Sequence, residues 1–246
     1  MIVHADDLSV SPHLIIHGTY DPALTRYLGN HLEAGKVFVD VGANMGYFTI
    51  LAGLLVGAKG KVIAFEANTD HYRLIKENVA LNYLSDHTLV FHAAVYSEAT
   101  RLTFHASERF QGNSSIFPHD DEYKKFYDVD TFTTYEIDAV ALDDVLIDLP
   151  YIDIIKLDIE GGEYRAFLGM NKLIEKQAIG TIVFEWNKRM LGNDWMMLVR
   201  QLAMYQDMHG YQFFFLNKEG NLQPISLETL VVNDGIPNVV MTKQTG

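Results

Sequence analysis

From Val37 onward, short apolar runs alternate with longer stretches whose apolar residues recur every three or four positions, the signature of repeated strand–helix units. Val37 to Val41 reads as a strand buried on both faces, and Tyr47 to Val56 as an apolar helix. Lys61 to Glu66 is a second strand, and Thr69 to Leu81 a helix with Thr69 at its N-cap. Leu89 to His92 gives a third strand. The rhythm fails between Glu98 and Leu142. Arg101 to His105 and Tyr135 to Val140 have strand character, but Ser107 to Asp130 between them is polar and rich in Gly, Asn, Ser and Asp. A connection of that length is expected to act as a lid or to be a loose insertion. Order returns with strands over Tyr151 to Leu157 and Gly180 to Phe184, and helices over Glu163 to Ile174 and Asp194 to Met208. Trp195, Leu198, Val199, Leu202 and Tyr205 fall at helical spacing on the last of these, and Met196, Met197, Met204 and Met208 are expected to join them in the core. Tyr211 to Leu216 and Asn238 to Met241 close the sheet. Ahead of the first strand, Asp21-Pro22 supplies an N-cap and first turn for a helix to about Glu33.

No repeat, low-complexity tract or Pro-rich linker interrupts this pattern, so residues 1–246 read as one domain with a helical preface over 1–35 and an inserted, lid-like loop over 107–130. Composition narrows the chemistry. With 19 basic against 32 acidic residues the formal charge is −13, which argues against non-specific binding to nucleic acid or anionic lipid. The chain has no cysteine, which removes disulfides, thiolate metal sites and a thiol nucleophile. No dedicated metal motif stands out, and no resident metal is expected. The first thirty residues hold neither a signal-like segment nor an apolar run of membrane-spanning length, so a cytoplasmic protein is expected.

Asp40-Val41-Gly42-Ala43-Asn44-Met45-Gly46 lies at the carboxyl end of the first strand, where open α/β sheets bind ligands. Glycines there allow a tight bend and close approach of a cofactor. Dinucleotide sites use G-x-G-x-x-G, whereas this turn is G-x-x-x-G with Asn44 at its centre. The carboxylate of Asp40 would repel a pyrophosphate and suits a cationic cofactor such as S-adenosylmethionine; an ordinary strand–helix turn is the alternative. Glu66 ends the second strand, where an acid grips a ribose diol.

A second polar group follows the apolar run Tyr151 to Ile155: Lys156-Leu157-Asp158-Ile159-Glu160-Gly161-Gly162-Glu163. Asp158 and Glu160 are two apart and share a face in extended backbone. Glu163 opens the next helix, either as a charge favoured there or as part of the site. Glu185 repeats the pattern at the end of Ile182-Val183-Phe184. Asp40, Glu66, Asp158 and Glu185 are therefore expected to crowd one edge of the sheet.

These segments together resemble the FkbM family of methyltransferases. Val39 to Thr49 is similar to that family's first motif, Phe65-Glu66-Ala67-Asn68 to its second, and Ala93-Ala94-Val95-Tyr96-Ser97 to the stretch after its third strand. Gly112-Asn113-Ser114-Ser115 resembles its polar loop, and Lys156 to Glu163 its K-[IL]-D-[VI]-E-G-x-E signature, with Gly162 where Ala is commoner. The resemblance implies an α/β, Rossmann-like class I sheet, mostly parallel with one antiparallel strand near the C-terminus and helices on both faces. It implies S-adenosylmethionine as cofactor and O-methylation of a hydroxyl on a sugar, polyketide or related small metabolite. Asp40, Gly42, Asn44 and Gly46, with Ala43 in the same turn, would meet the methionine part, Glu66 the ribose, and Ala67, Asn68, Ala93 and Ala94 the adenine. Asp158, Glu160 and Glu185 would orient the acceptor hydroxyl and take its proton, with His17, His105 and His119 as rival bases. A nicotinamide-dependent oxidoreductase and a non-catalytic binding module are the other classes such a sheet allows.

Overall fold

The computed structural model describes residues 1–118, 121–233 and 236–243. Helices α1 (Ser11–His17) and α2 (Pro22–His31) precede β1 (Val37–Val41), after which α3 (Tyr47–Val56), β2 (Lys61–Glu66), α4 (Thr69–Leu81) and β3 (Thr88–His92) alternate. Next come β4 (Ala94–Val95), β5 (Thr100–Ser107), α5 (Asp121–Phe126), β6 (Phe132–Val140) and α6 (Leu142–Val145). The second half runs β7 (Ile152–Leu157), α7 (Glu163–Leu168), α8 (Asn171–Glu175), β8 (Ile179–Glu185), α9 (Lys188–Leu191) and α10 (Trp195–His209). It closes with β9 (Gln212–Leu216), β10 (Leu222–Pro224), α11 (Leu227–Val232) and β11 (Asn238–Thr242).

The main sheet has the order β10-β9-β11-β8-β7-β1-β2-β3. Strands β1, β2, β3, β7 and β8 are mutually parallel. β11 lies antiparallel between β8 and β9, the reversed strand expected near the C-terminus. A second reversed strand, β10, pairs with β9 at the edge; it is three residues long and ends in Pro224, which an edge tolerates. The chain steps outward from β1 to β3 on one side and from β7 to β8 on the other. That reversal opens a crevice at the carboxyl ends of β1 and β7.

Both faces of the sheet are covered, which is why its strands are apolar runs. On one face Val39, Val41, Phe65, Leu157 and Phe184 pack with Phe167, Leu198, Leu202 and Tyr205. On the other, Phe38, Val62, Ile154 and Val183 meet Leu24, Leu28, Phe48 and Val56. Alternation along β1 puts Asp40 on the Phe38 face, beneath α3.

Several local readings are corrected. Asn68, not Thr69, caps α4, its side-chain oxygen accepting from the N–H groups of Asp70 and His71. The helix read over Glu163 to Ile174 is broken into α7 and α8. Gly169 packs against the Tyr96 carbonyl where a Cβ would not fit, and the Asp143 carboxylate caps the second piece at Lys172 and Leu173. Trp186 and Trp195 are buried with ring centroids 4.4 Å apart, but Met196, Met197, Met204 and Met208 are exposed. The apolar stripe of α10 is narrower than its composition suggests.

The stretch after β3 forms a three-stranded sheet, β4-β6-β5. β5 and β6 pair antiparallel from Thr100↔Ala139 to Ser107↔Phe132, so the polar segment is a hairpin connection. Among the described residues no helix is long and apolar enough to cross a membrane.

Candidate functional site

The turn after β1 is held in place by its surroundings. Gly42 and Ala43 donate their N–H groups to the Phe65 carbonyl at 3.0 and 3.1 Å. Gly42 has φ +73°, and a Cβ there would stand 1.8 Å from the Asp158 carbonyl oxygen, so only glycine permits this approach of β1 to β7. Asn44 has φ +51° and its side chain accepts from the Met45 N–H; left-handed backbone and a local bond are what asparagine supplies more readily than other non-glycine residues.

Glu66 ties this turn to the next. Its two carboxylate oxygens accept from the N–H groups of Asn44 and Asn68, each at 2.7 Å. Burial pushes its carboxyl up to about 7, against the pull of those hydrogen bonds. Each oxygen keeps a lone pair for a ligand hydroxyl. Ala67, Ala93 and Ala94 line the same cleft. Asn68 is buried and spends its side chain on the α4 cap.

Asp40 lies beneath the turn. It is fully buried and accepts from Thr49 Oγ1 at 2.6 Å, while its other oxygen faces Lys156 Nζ at 3.3 Å. It does not line the cleft, whereas its partner Lys156 does. Lys156, passed over as a site residue in the sequence, donates to the Gly42 carbonyl at 2.8 Å and stands 3.6 Å from Asp158.

The acidic segment divides by role. Glu163 is wholly buried and accepts from the N–H groups of Ile159 and Gly161 at 3.1 and 3.0 Å, pinning the loop that carries Glu160; burial raises its carboxyl to about 7. Ser115 Oγ donates to the Glu160 carbonyl at 2.8 Å, and Glu160 itself is left-handed at φ +54°. One oxygen each of Asp158, Glu160 and Glu185 lies within 4.8 Å of the other two, a spacing that accommodates a shared proton or a cation. Glu185 Oε1 accepts from Asn187 Nδ2, and its Oε2 is buried without a hydrogen-bond partner among the described residues. Burial first, and then repulsion between the acids, holds Glu160 and Glu185 well above the usual carboxylate range. Of the four acids expected at this edge, Glu66 and Asp158 line the cleft, as does Glu160, whereas Asp40 and Glu185 do not.

Turn and acids form the floor and wall of one cleft. Its roof comes from the first twenty residues and the β5–β6 connection. Val10, Tyr20, His71, Gln111 and Gly112 line it. The Asp7 carboxylate accepts from the N–H groups of Ser9, Val10 and Ser11 and, from the connection, Gln111 at 3.2 Å. Ser9 Oγ accepts from Gly112 N–H at 2.9 Å, and His71 Nε2 lies 2.9 Å from Gln111 Oε1. Neither His17 nor His105 lines the cleft, and His119 falls outside the described residues. His13 and His17, an i, i+4 pair that the sequence reading overlooked, are exposed on α1 with rings 6.2 Å apart. Among the described residues no third metal-ligating side chain joins them.

A parallel sheet with its reversal at β1, a reversed strand inserted between β8 and β9, and a cleft at the glycine turn define a class I methyltransferase type of fold. Residues 40–213 match the family described as Methyltransferase FkbM domain, and the chain belongs to that family. It is similar to a protein-L-isoaspartate O-methyltransferase of Caenorhabditis elegans, 38% identical over 57 residues covering 23% of this chain and 25% of that protein. It is also similar to the methyltransferase sdnD of Sordaria araneosa, 24% identical over 180 residues covering 63% and 68%. The solved FkbM methyltransferase of Methylobacillus flagellatus KT superposes with a TM-score of 0.50 at 16% identity, covering 85% of this chain and 43% of that one. The chain thus spans about a quarter of the length of the first curated relatives it matches and less than half of the solved FkbM chain.

Proposed function

We propose that the protein is an S-adenosylmethionine-dependent methyltransferase acting on a hydroxyl of a small molecule, with a sugar or polyketide-like acceptor as the leading class. One observation carries the reading: the Gly42 turn with Glu66 and the acids Asp158 and Glu160 line the same cleft. The cofactor, when bound, supplies a methyl group already activated on a sulfonium. The residues present fit it, because the turn Gly42 to Asn44 lines the cleft beside Glu66, which retains acceptor capacity for ribose hydroxyls. The acidic wall favours a cation and disfavours the phosphates of a dinucleotide or a nucleic acid. Asp158 and Glu160 align the acceptor hydroxyl and take up its proton, with Glu185 behind them. The roof formed by residues 7–10 and 111–112 excludes water from the transfer.

Calorimetry with S-adenosylhomocysteine and with NADH separates this reading from an oxidoreductase: binding of the first alone is expected, and binding of NADH alone overturns it. With a panel of sugar and polyketide hydroxyl acceptors, Asp158→Asn and Glu160→Gln are expected to lose turnover while retaining S-adenosylhomocysteine affinity. Unchanged turnover in both removes the acids from the chemistry. Cofactor binding with no transfer to any acceptor would favour a binding module.

A further inference from the structure

The reversed strand β11 carries the ligand-binding edge of the sheet past the acids. Because β11 runs antiparallel to both β8 and β9, its first residue, Asn238, stands at the carboxyl ends of those strands. Asn238 pairs with Glu185, so the two side chains share one face of the sheet. Trp186, next after Glu185, donates from its ring to the Leu230 carbonyl of α11 and from its backbone to the Pro237 carbonyl. The acids and the last elements of the chain are thus built on adjoining residues.

Those last elements form a second cavity. Phe215 and Leu216 at the end of β9, Ile225 and Ser226 after β10, and Thr229 on α11 line it together with Asp21 and Asn238. It borders the first cleft at the preface, where Tyr20 lines the cleft and Asp21, the following residue, lines the cavity. Asp21 spans that border. One carboxylate oxygen accepts from Leu24 N–H of α2 at 3.0 Å and the other from Asn238 Nδ2 at 2.6 Å. Its φ of +40° is a left-handed backbone that these contacts hold in place.

The chemistry of the cavity differs from that of the cleft. The cleft presents Glu66, Asp158 and Glu160, whereas Asp21 is the only acid among the described residues lining the cavity, and both its oxygens already accept hydrogen bonds. Phe215, Leu216 and Ile225 are only half-buried, and Ser226 and Thr229 are exposed with their hydroxyls 3.1 Å apart. Apolar side chains left partly in water by a concave surface favour a ligand that covers them.

We propose that this cavity receives the remote, apolar part of the acceptor. The molecule would then carry its reacting hydroxyl to Asp158 and Glu160 and extend past the Asp21–Asn238 bridge as a chain or ring of several carbons. The inference rests on the methyltransferase reading above and narrows its acceptor from a lone sugar to a hydroxyl compound with an apolar extension. Burying that extension supplies binding energy away from the reacting atoms, which holds the hydroxyl in line.

The test is a series of 3-hydroxyacyl N-acetylcysteamine thioesters of four to eight carbons, in which the hydroxyl stays fixed while the chain grows. Calorimetry on the full chain, with S-adenosylhomocysteine present, is expected to show affinity rising about 4-fold per buried methylene and at least about tenfold across the series. Thr229→Trp fills the cavity from an exposed helix position and is expected to bring the eight-to-four-carbon affinity ratio toward one. Phe215→Ala removes an apolar wall and is expected to lower the ratio as well. Retained S-adenosylhomocysteine affinity shows that each variant is folded. Affinity independent of chain length in the parent, a ratio unchanged in Thr229→Trp, or absence of binding by every thioester overturns the proposal. A dimer that Thr229→Trp dissociates in sedimentation, without any chain-length effect, gives the cavity to a second copy and also overturns it. Failure of the parent to bind S-adenosylhomocysteine overturns the cofactor reading instead.

Discussion

Gly42→Ala puts the largest local demand on the site for the smallest chemical change. The new Cβ would lie 1.8 Å from the Asp158 carbonyl oxygen, where real contacts stay beyond 3.0 Å, so the strands must part by about 1.2 Å. Neither side yields freely. Gly42 N–H is bonded to the Phe65 carbonyl, and Asp158 N–H to the Val41 carbonyl at 3.1 Å. The left-handed φ of +73° adds about 1–2 kcal/mol of strain for alanine, and overpacking of this kind costs about 1–3 kcal/mol more. Gly35→Ala isolates the first contribution: Gly35 has φ +94° with nothing within 4 Å of its Cβ position. Urea unfolding should therefore show a loss of about 1–2 kcal/mol for Gly35→Ala and about 2–5 kcal/mol for Gly42→Ala. Displacing Asp158 by about 1 Å should also cut turnover on an identified acceptor by about 100-fold, and S-adenosylhomocysteine should bind more weakly to Gly42→Ala alone. Equal stability losses in the two variants, with cofactor affinity unchanged in both, would refute the argument that this turn and the acidic segment are in obligatory contact.

Stability should depend on pH through the buried acids. Glu66 and Glu163 are raised to about 7 from an ordinary 4.5, so the stability tied to their neutral forms is complete below about 4.5 and lost as pH rises through 7. Urea unfolding of the ligand-free protein should show a loss of about 1 kcal/mol for each between pH 6 and 8, with a shallower slope in Glu163→Gln; an identical slope in that variant counts against the assignment. Tyr135→Phe removes a hydroxyl that accepts from Thr69 N–H and donates to the Ala67 carbonyl. About 1 kcal/mol of stability should go with it, together with severalfold weaker S-adenosylhomocysteine binding by calorimetry, and full retention of affinity would show that the small sheet does not support the cofactor edge. Asp7→Ala should release the roof, seen as faster proteolysis within residues 1–20 and faster cofactor dissociation in stopped flow; protection equal to the parent's refutes the latch. Manganese titration followed by electron paramagnetic resonance is expected to show no tight site at Asp158, Glu160 and Glu185, and a tight site abolished by Glu185→Gln would refute this and make the trio a cation site.

The parts of the site that were legible in sequence are those encoded within a few residues. The Gly42 turn, Glu66 and the Lys156 to Glu163 segment each combine an apolar strand with its polar end, and strand ends converge in any parallel sheet. Side-chain direction was less legible. Asp40 is at a strand end by sequence yet faces α3, and Glu163 serves its own loop, because both depend on which face of an element is turned inward. The roof left almost no local signal. His71 on α4 and Gln111 in the β5–β6 connection carry no local motif, and it is Asp7 and Ser9 that bring distant chain to them. The break between α7 and α8 was hidden for the same reason, since its cause is a carbonyl at Tyr96 and a carboxylate at Asp143.

The Asp7 latch has a consequence for the order in which the cleft is completed. Its partners lie far along the chain: Ile2 with Asn78, Ser9 with Gly112, and Asp7 with Gln111 across 104 residues. Contacts of that separation form only after α4 and the β5–β6 hairpin exist to receive them. The residues made early are thus among the late ones to dock, and a chain that has folded its sheet can still lack a closed ligand site.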